Sequence, residues 1–168
     1  LSEGSSVGVY IIDDERSEAQ FNFDKWSHGP KVLVEEFIPG REIQVAIMGQ
    51  KALGAIEIRP KGSFYDYETK YTEGKAQHFM PAPIHPRSYG EALEIALHAH
   101  QTLDCRGVSR ADLRYNDLDG EPGKLYLLEV NTQPGLTPLS LVPEIAADSG
   151  IAFSELVSWM VENASCDN

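Results

Sequence analysis

The sequence is poor in cysteine and in basic residues. The 168 residues include two cysteines, Cys105 and Cys166, which form neither a metal-binding pattern nor a disulfide framework. Lysine and arginine total 14 against 26 acidic residues, so the net charge is −12. An excess of acidic residues argues against binding to nucleic acid or to an acidic membrane surface, because both need basic patches. Two isolated thiols are typical of a protein from the reducing cytoplasm.

Long hydrophobic runs and several common catalytic motifs are also missing. No apolar run approaches the roughly 20 residues that a transmembrane helix needs, and no signal peptide opens the sequence. The P-loop, G-x-S-x-G, H-E-x-x-H and G-x-G-x-x-G motifs do not occur, and the five histidines lack ligand or triad spacing. The apolar fraction of 42% is nevertheless sufficient for a packed core.

Hydrophobic periodicity predicts an α+β fold. Apolar or alternating runs predict strands over 7–12, 31–38, 42–48, 52–58, 76–80, 108–115 and 124–131. Helical spacing predicts helices over 15–27, 85–103, 139–147 and 153–163, the last with Leu156, Val157, Met160 and Val161 facing inward. Strand pairs followed by helices, without strict alternation, indicate a mostly antiparallel sheet. The stretch 60–74 has neither period, and a loop of this length is usually functional.

Oxygen ligands on two of the predicted strands indicate a magnesium site. Glu129 and Asn131 are two residues apart, so their side chains share one face of a strand. Asp112 lies on the preceding strand, and carboxylate and amide oxygens are ligands that Mg²⁺ accepts. The alternative is that the two carboxylates form surface ion pairs with Arg110 or Arg114. The apolar residues around them favour burial, and buried acids are often functional.

Three further segments have features of a nucleotide site. Lys70, in the aromatic-rich stretch 64–71, is either a phosphate contact on a closing loop or a solvated loop lysine. The edge of the strand 32–38 can hydrogen-bond a purine and Glu42 can accept from ribose hydroxyls, or this is an ordinary sheet strand. The stretch 3–8 offers backbone N–H groups and hydroxyls to an anion, although a plain turn fits it equally well.

Taken together and in this order, these segments resemble the D-alanine–D-alanine ligases of the ATP-grasp superfamily. The combination covers nearly the whole chain and is more specific than any of its parts. It consists of Glu3-Gly4-Ser5-Ser6-Val7-Gly8, Val34-Glu35-Glu36-Phe37, Gly40-Arg41-Glu42, Phe64-Tyr65-Asp66-Tyr67, Lys70-Tyr71, Arg110-Ala111-Asp112, Glu129 to Gly135 and Ser140-Leu141-Val142-Pro143. The fold that the resemblance implies is ATP-grasp, an α+β fold with a mostly antiparallel sheet flanked by helices.

The resemblance implies ATP and magnesium as cofactors. Glu35, Phe37 and Ile38 are similar to the adenine-binding hinge of the family. Glu42 is similar to its ribose acceptor, and Lys70 to the phosphate contact of its mobile loop. The ligands of two Mg²⁺ ions, for which Mn²⁺ is a possible substitute, correspond to Asp112, Glu129 and Asn131.

The resemblance also implies two D-alanine substrates, joined through an acyl phosphate to give D-alanyl-D-alanine for peptidoglycan synthesis. The oxyanion stabilisers correspond to Arg110 and the backbone N–H of Gly135. Ser140 and Leu141 correspond to the site of the second substrate's carboxylate, at a helix N-terminus that favours anions. The set that orients the first substrate's amine includes Ser5 and Tyr71. Tyrosine at position 71 favours dipeptide formation with D-alanine over ester formation with D-lactate.

Two alternatives stay open beside this assignment. The first is another ATP-grasp ligase that joins a different carboxylate and amine, and the second is a non-catalytic nucleotide-binding remnant. The resemblance further implies a homodimer for the full-length enzyme, with no nucleic-acid or membrane partner.

The resemblance places residues 1–30 in the remainder of the central ATP-grasp subdomain and residues 31–168 in the C-terminal catalytic domain. The family's N-terminal domain and two phosphate-contacting lysines have no counterpart in the 168 residues. We therefore expect that residues 1–168 alone do not ligate D-alanine.

Overall fold

The computed structural model describes residues 9–12, 31–60, 76–137 and 140–165. The predicted helix over 15–27 and nearly all of the predicted loop over 60–74 lie outside these ranges. The predicted domain boundary at residue 30 adjoins an undescribed stretch, so it stays a prediction. None of the helices in the described ranges is long and apolar enough to cross a membrane.

Within the described ranges, five strands form one antiparallel sheet. The strands are β1 (Arg41–Met48), β2 (Lys51–Pro60), β3 (Ala76–Phe79), β4 (Val108–Asn116) and β5 (Lys124–Asn131). Their order across the sheet is β3-β2-β1-β4-β5, and every neighbouring pair is antiparallel. The helices are α1 (Pro86–Thr102), α2 (Leu141–Asp148) and α3 (Phe153–Glu162). This arrangement confirms the predicted α+β fold with an antiparallel sheet.

The central strand β1 is buried on both faces because helices cover both sides of the sheet. Ile43, Val45 and Ile47 pack in the cluster that includes Ala92 and Ala96 of α1. The opposite face carries a second cluster, in which residues of β1, β2 and β4 pack against α2 and α3. Its buried members are Ala46, Ile56, Ile58, Val108, Leu141, Val142, Ile145, Ala146 and Leu156. Successive residues of a strand point to opposite faces, so one strand contributes to both clusters.

Two glycines give the chain turns that other residues tolerate poorly. Gly49 opens the two-residue turn between β1 and β2 with φ +59°, a backbone angle that two-residue hairpin turns require. Gly40, immediately before β1, has φ +103°. A Cβ atom at Gly40 would lie 2.2 Å from the Tyr115 carbonyl oxygen, so the first residues of the sheet require glycine here.

Three expectations from the sequence are wrong. The predicted strand over 31–38 is not a strand, and residues 9–12 of the predicted strand over 7–12 are not one either. A strand needs a neighbour to hydrogen-bond with, and no described strand pairs with either segment. Val161 does not face inward but is 71% exposed. Helix α3 therefore buries a narrower stripe than its apolar composition suggests, with Leu156 fully buried.

An ion-pair network lies on the α1 side of the sheet, around Glu57. Arg41 donates from Nε to Glu57 Oε1 at 3.0 Å, and Arg59 donates from Nε to the same oxygen at 2.6 Å. Burial by itself raises the pKa of the Glu57 carboxyl. The hydrogen bonds from both arginines lower the pKa by more than burial raises it, so the pKa lies below its ordinary value. Glu57 is therefore a buried charge with its partners in place, which is the condition for tolerating it.

Candidate functional site

The pairing of β4 with β5 brings the predicted metal ligands together. Asp112 lies directly opposite Glu129, and Arg110 lies directly opposite Asn131. Residues that oppose each other in an antiparallel pair share a face, with Cβ atoms about 4.5–5.5 Å apart. Glu129 and Asn131 are two apart on β5, as Arg110 and Asp112 are on β4. The structure therefore gathers the two predicted carboxylates and the predicted amide on one face of two adjacent strands.

Asp112 is held in place by Arg110. The Nε of Arg110 donates to Asp112 Oδ1 at 2.6 Å, and Nη2 donates to Oδ2 at 2.8 Å. Asp112 is only 6% exposed, so the surface ion pair considered from the sequence is instead a buried, bidentate one. A carboxylate has about four lone-pair positions, so two remain after this pair. The arginine contact is therefore compatible with metal binding by Asp112.

The other two predicted ligands differ in their surroundings. Glu129 is exposed, and its carboxylate is accessible from solvent. Asn131 is half-buried, and its Oδ1 accepts a hydrogen bond from the Gln133 N–H at 3.0 Å. That contact begins the turn after β5 and orients the amide, leaving one lone pair of Oδ1.

The predicted ligands fit magnesium better than a metal that takes all of its ligands from the protein. Among the described residues, no group of three or more His, Cys, Asp or Glu side chains is arranged to hold a metal ion. The predicted set contains two carboxylates and one amide, and Mg²⁺ accepts few protein ligands because it retains several waters. A nearby buried amide oxygen, Oε1 of Gln44, has no hydrogen-bond partner among the described residues. A hydrated cation at this face would supply a hydrogen-bond donor for that oxygen.

Gln44 was not identified from the sequence. It lies on β1 between Ile43 and Val45, where alternation indicates a polar side chain on the solvent side of a half-buried strand. The structure instead places it opposite Asp112 of β4 and Ile56 of β2, and it is 2% exposed. No sequence signal distinguishes this glutamine from an exposed one, because its burial depends on α2 covering that face.

The predicted adenine-binding hinge lies beside the same face. Glu35 and Phe37 are exposed, with Phe37 at 54%, and Ile38 is half-buried. Arg114 of β4 holds the end of this segment by donating to the Ile38 carbonyl at 3.0 Å and to the Gly40 carbonyl at 2.8 Å. The sequence suggested Arg114 only as an ion-pair partner. Its two backbone contacts show that it anchors the end of this segment to the sheet.

Glu42, the predicted ribose acceptor, is on the same face as the metal set. It lies two residues before Gln44 on β1 and directly opposite Arg114 on β4. It is half-buried and takes part in a polar interaction. The hinge, Glu42 and Asp112 therefore follow one another along a single polar strip on the face that α2 partly covers.

The predicted residues for the second substrate also come together. A Cβ atom at Gly135 would lie 2.7 Å from the Ser140 hydroxyl oxygen, so the two residues are in close contact. That hydroxyl oxygen accepts from the Thr137 N–H at 2.9 Å and does not cap the helix. Leu141 is 7% exposed and packs in the core, which leaves its main chain as the part suited to binding. The first N–H groups of α2 therefore have no side-chain cap, which is the arrangement that favours anions.

Three predicted site residues lie outside the described ranges: Ser5, Lys70 and Tyr71. Their assigned contacts with the first substrate and with phosphate stay predictions. The described part of the site is therefore the sheet face, the hinge and the start of α2.

A separate cavity of about 200 Å³ lies at the other end of the sheet, around His100. It is lined by Gly49, Gln50, His100, Cys105, Arg106, Gly107, Trp159, Asn163 and Ser165. The His100 Nδ1 lies 2.7 Å from the Ser109 hydroxyl, and its Nε2 is buried with no hydrogen-bond partner from the residues that the structure describes. Burial lowers the pKa of this imidazole below its ordinary value of 6.5, so it is neutral at physiological pH. None of the predicted site residues within the described ranges lines this cavity.

Comparison with known proteins identifies the family. A family model described as "D-ala D-ala ligase C-terminus" matches residues 1–162. A D-alanine–D-alanine ligase of Rhodospirillum rubrum is 54% identical over 167 residues, covering 99% of this chain and 54% of the relative. That of Paramagnetospirillum magneticum is 56% identical over 170 residues, covering 99% and 54%. The chain thus spans about half the length of the curated relatives it matches.

Solved structures give the same result for the fold. The D-alanine–D-alanine ligase of Bacillus anthracis complexed with ATP aligns with a TM-score of 0.63 at 28% identity, covering 77% of this chain and 39% of that one. The VanG D-Ala:D-Ser ligase of Enterococcus faecalis aligns with a TM-score of 0.62 at 31% identity, covering 76% and 37%. The fold is therefore ATP-grasp, and the chain belongs to the D-alanine–D-alanine ligase family, whose C-terminal part it matches.

Proposed function

We propose that this chain is the C-terminal ATP- and magnesium-binding part of a ligase that joins two D-alanines. The observation that carries the proposal is the in-register placement of Asp112 opposite Glu129, with Asn131 on the same face. The high identity to D-alanine–D-alanine ligases supports the choice of substrate. An ATP complex among the related structures supports the choice of nucleotide.

The nucleotide would bind along the polar strip from the hinge to Asp112. Glu35, Phe37 and Ile38 would receive adenine, and Glu42 would accept from the ribose hydroxyls. The exposed side chains of Glu35 and Phe37 and the anchoring of the segment by Arg114 support this role, because an adenine site needs an accessible but fixed edge. Lys70 would contact the phosphates.

Asp112, Glu129 and Asn131 would hold up to two Mg²⁺ ions, with Mn²⁺ as a possible substitute. When bound, magnesium neutralises charge on the phosphates of the nucleotide during phosphoryl transfer. The chain's own contribution is to fix the ligands. Arg110 orients the Asp112 carboxylate through two hydrogen bonds, and the Gln133 N–H orients the Asn131 amide. Fixed ligands preserve the geometry that the octahedral ion requires.

The condensation step would take place between β4 and the start of α2. Arg110 and the Gly135 N–H would stabilise the oxyanion that forms when the second amine attacks the acyl phosphate. Ser140 and the Leu141 N–H would bind the carboxylate of the second D-alanine at the N-terminus of α2. The close contact of Gly135 with Ser140 supports a shared site, because it brings the oxyanion donor beside the carboxylate donors. Ser5 and Tyr71 would orient the first substrate.

The wider setting is proposed on the same basis. The full-length enzyme would be a cytoplasmic homodimer that supplies D-alanyl-D-alanine for peptidoglycan. Residues 1–30 would belong to the central ATP-grasp subdomain and residues 31–168 to the catalytic C-terminal domain.

Calorimetry with Mg·ATP tests the nucleotide and metal site directly. We expect the chain to bind Mg·ATP, and we expect the double variant Asp112→Asn/Glu129→Gln to lose that binding. The matched control is Asp148→Asn/Glu155→Gln, which removes two exposed carboxylates from α2 and α3. Equal Mg·ATP affinities for the parent and the Asp112/Glu129 variant would contradict the assignment of the metal ligands.

Substrate identity requires a separate measurement. We expect ADP release by an enzyme that contains this chain to depend on D-alanine, with D-alanine preferred over D-serine and D-lactate as the second substrate. D-Serine belongs in the comparison because a D-Ala:D-Ser ligase shares the fold. A preference for D-serine or D-lactate would contradict the proposed dipeptide.

A further inference from the structure

Gln44 has a buried oxygen that the described residues leave unsatisfied. The side chain is 2% exposed, and its Oε1 has no hydrogen-bond partner in the part of the chain that the structure describes. Buried polar atoms are nearly always paired, because leaving one unpaired forfeits the hydrogen bonds it makes with water. An exception of this kind requires an explanation, and a bound ion or an ordered water is one of the recognised kinds.

The position of Gln44 suggests which partner is missing. Gln44 lies directly opposite Asp112 in the pairing of β1 with β4, so the two Cβ atoms are about 5 Å apart. Both oxygens of Asp112 accept from Arg110. An amide oxygen and a carboxylate are both acceptors, so Oε1 cannot be satisfied by Asp112. It needs a donor or a cation on the face that Asp112 shares.

We propose that Gln44 Oε1 accepts a hydrogen bond from a water in the hydration shell of the magnesium ion bound at Asp112 and Glu129. This inference rests on the proposed function and adds a positioning residue to it. A magnesium ion in a protein keeps several waters, and their hydrogens point away from the ion. A buried amide oxygen held on a strand beside the ligands is an acceptor of the required kind. Gln44 thus fixes the ion through its water.

The two strands that neighbour β4 place polar side chains on both sides of Asp112. On β5, Glu129 faces Asp112, and Asn131, which accepts from the Gln133 N–H, lies two residues further along; on β1, Gln44 faces Asp112 from the other side. Ile56, on the other side of Gln44, is apolar and fully buried, so it offers no hydrogen bond. Of the two cross-strand neighbours of Gln44, therefore, only Asp112 lies at a polar site.

The test compares ligand affinity and stability in the same variants. Gln44→Leu removes the acceptor, and Gln44→Glu keeps one. We expect Gln44→Leu to raise the dissociation constant for Mg·ATP about tenfold, as the loss of one charge-assisted hydrogen bond would. We expect ATP affinity measured in EDTA to change less than twofold. Gln44→Glu should retain Mg·ATP affinity. Thermal unfolding of the ligand-free Gln44→Leu chain should not be lowered, since the variant removes an unsatisfied group.

A matched control is Gln101→Leu, in which a glutamine paired with Gln50 on the far side of the sheet is changed. We expect it to leave Mg·ATP affinity unchanged. As a second measurement, the side-chain amide resonance of Gln44, identified by its absence in Gln44→Leu, should shift on addition of Mg·ADP and not on addition of ADP in EDTA.

The outcomes separate this inference from the proposed function. If Asp112→Asn abolishes Mg·ATP binding while Gln44→Leu does not change it, the role of Gln44 is overturned and the metal site stands. An equal loss with and without magnesium assigns the contact to the nucleotide and overturns the inference. If Asp112→Asn binds Mg·ATP as the parent does, the metal site fails and the inference fails with it.

Discussion

Arg110 forms a bidentate ion pair with Asp112, which lies two residues further along the same strand. The guanidinium donates from Nε and Nη2 to the two carboxylate oxygens at 2.6 and 2.8 Å. Both side chains are largely buried, so neither charge is strongly solvated. This pair fixes the orientation of the Asp112 carboxylate in the candidate metal site, because Asp112 cannot change rotamer without losing both hydrogen bonds. It also joins the proposed metal ligand to the proposed oxyanion stabiliser in one unit.

The first prediction concerns this pair. Arg110→Met should lower the free energy of unfolding by about 3 kcal/mol, because it leaves the Asp112 charge buried without its partner. The double variant Arg110→Met/Asp112→Leu should recover most of that loss, since no unpaired charge remains. Urea unfolding of the parent, both single variants and the double variant measures the coupling. Arg106→Met, at an exposed position, is the control. Additive losses in the double variant would contradict the pairing.

The second prediction concerns the hinge. Arg114→Met removes both contacts to the Ile38 and Gly40 carbonyls, so the 35–38 segment should lose its fixed position. We expect the dissociation constant for ATP to rise about tenfold, and amide exchange at residues 37–40 to accelerate. The effect on ATP should be the same with and without magnesium, unlike that of changes at Asp112. Unchanged exchange at these amides would show that Arg114 does not anchor the segment.

The third prediction uses two glycines with similar backbone angles. Gly40 has φ +103° and Gly120 has φ +113°, but a Cβ meets the Tyr115 carbonyl only at Gly40, with nothing within 4 Å at Gly120. Gly120→Ala should cost about 1–3 kcal/mol from backbone strain alone. Gly40→Ala should cost more, because the backbone of β4 must also move. Urea unfolding of both variants measures the difference. Equal losses would mean that the contact with Tyr115 relaxes without cost.

The fourth prediction concerns pH. Burial lowers the pKa of His100 in the folded chain below its ordinary value of 6.5. Between the two values the unfolded chain binds more protons than the folded one, so stability falls as pH falls. The contribution is fully present above pH 6.5 and is lost as pH decreases towards the lowered pKa. The slope from one such group is at most about 1.4 kcal/mol per pH unit.

Unfolding by urea at several pH values between 7.5 and 5 checks this. His100→Gln should show a smaller loss of stability on acidification than the parent. His98→Gln, at an exposed position on the same helix, should lose stability as the parent does. Besides His100, the titratable or charged groups among the described lining residues are Cys105 and Arg106, and neither a carboxylate nor a second histidine is among them. Identical pH profiles for the parent and His100→Gln would contradict the prediction.

Much of the site could be predicted from local patterns. The two-residue spacing of Glu129 and Asn131 on an apolar run indicated two oxygen ligands on one face, and the structure places them so. The strands β1, β2, β4 and β5 were predicted to within a few residues, because each contains an apolar or alternating run bounded by turn residues. The turn at Gly49 followed from the demand of a two-residue hairpin for positive φ.

The burial of Gln44 and the absence of a strand over 31–38 could not be predicted from the sequence, for related reasons. A run of Val, Leu and Ile has the composition of a strand, yet Val34 is 84% exposed and the segment pairs with no described strand. Gln44 is a polar residue at an alternating position, which is typical of a solvent-facing side chain, yet it is buried. In each case the local pattern is silent about which neighbour covers the residue, because coverage is set by chain segments far away in sequence.

The sequence by itself determined the family, the antiparallel strand pairs and the types of ligand available. The tertiary structure alone decided which of these meet. Asp112 faces Glu129 because β4 and β5 pair in one register, with an irregularity after Asp112, and a shift by one residue would turn either carboxylate to the opposite face. Gln44 lies beside Asp112 because β1 pairs with β4 in this register. Periodicity fixes which residues share a face of one strand, whereas pairing between strands fixes which faces coincide.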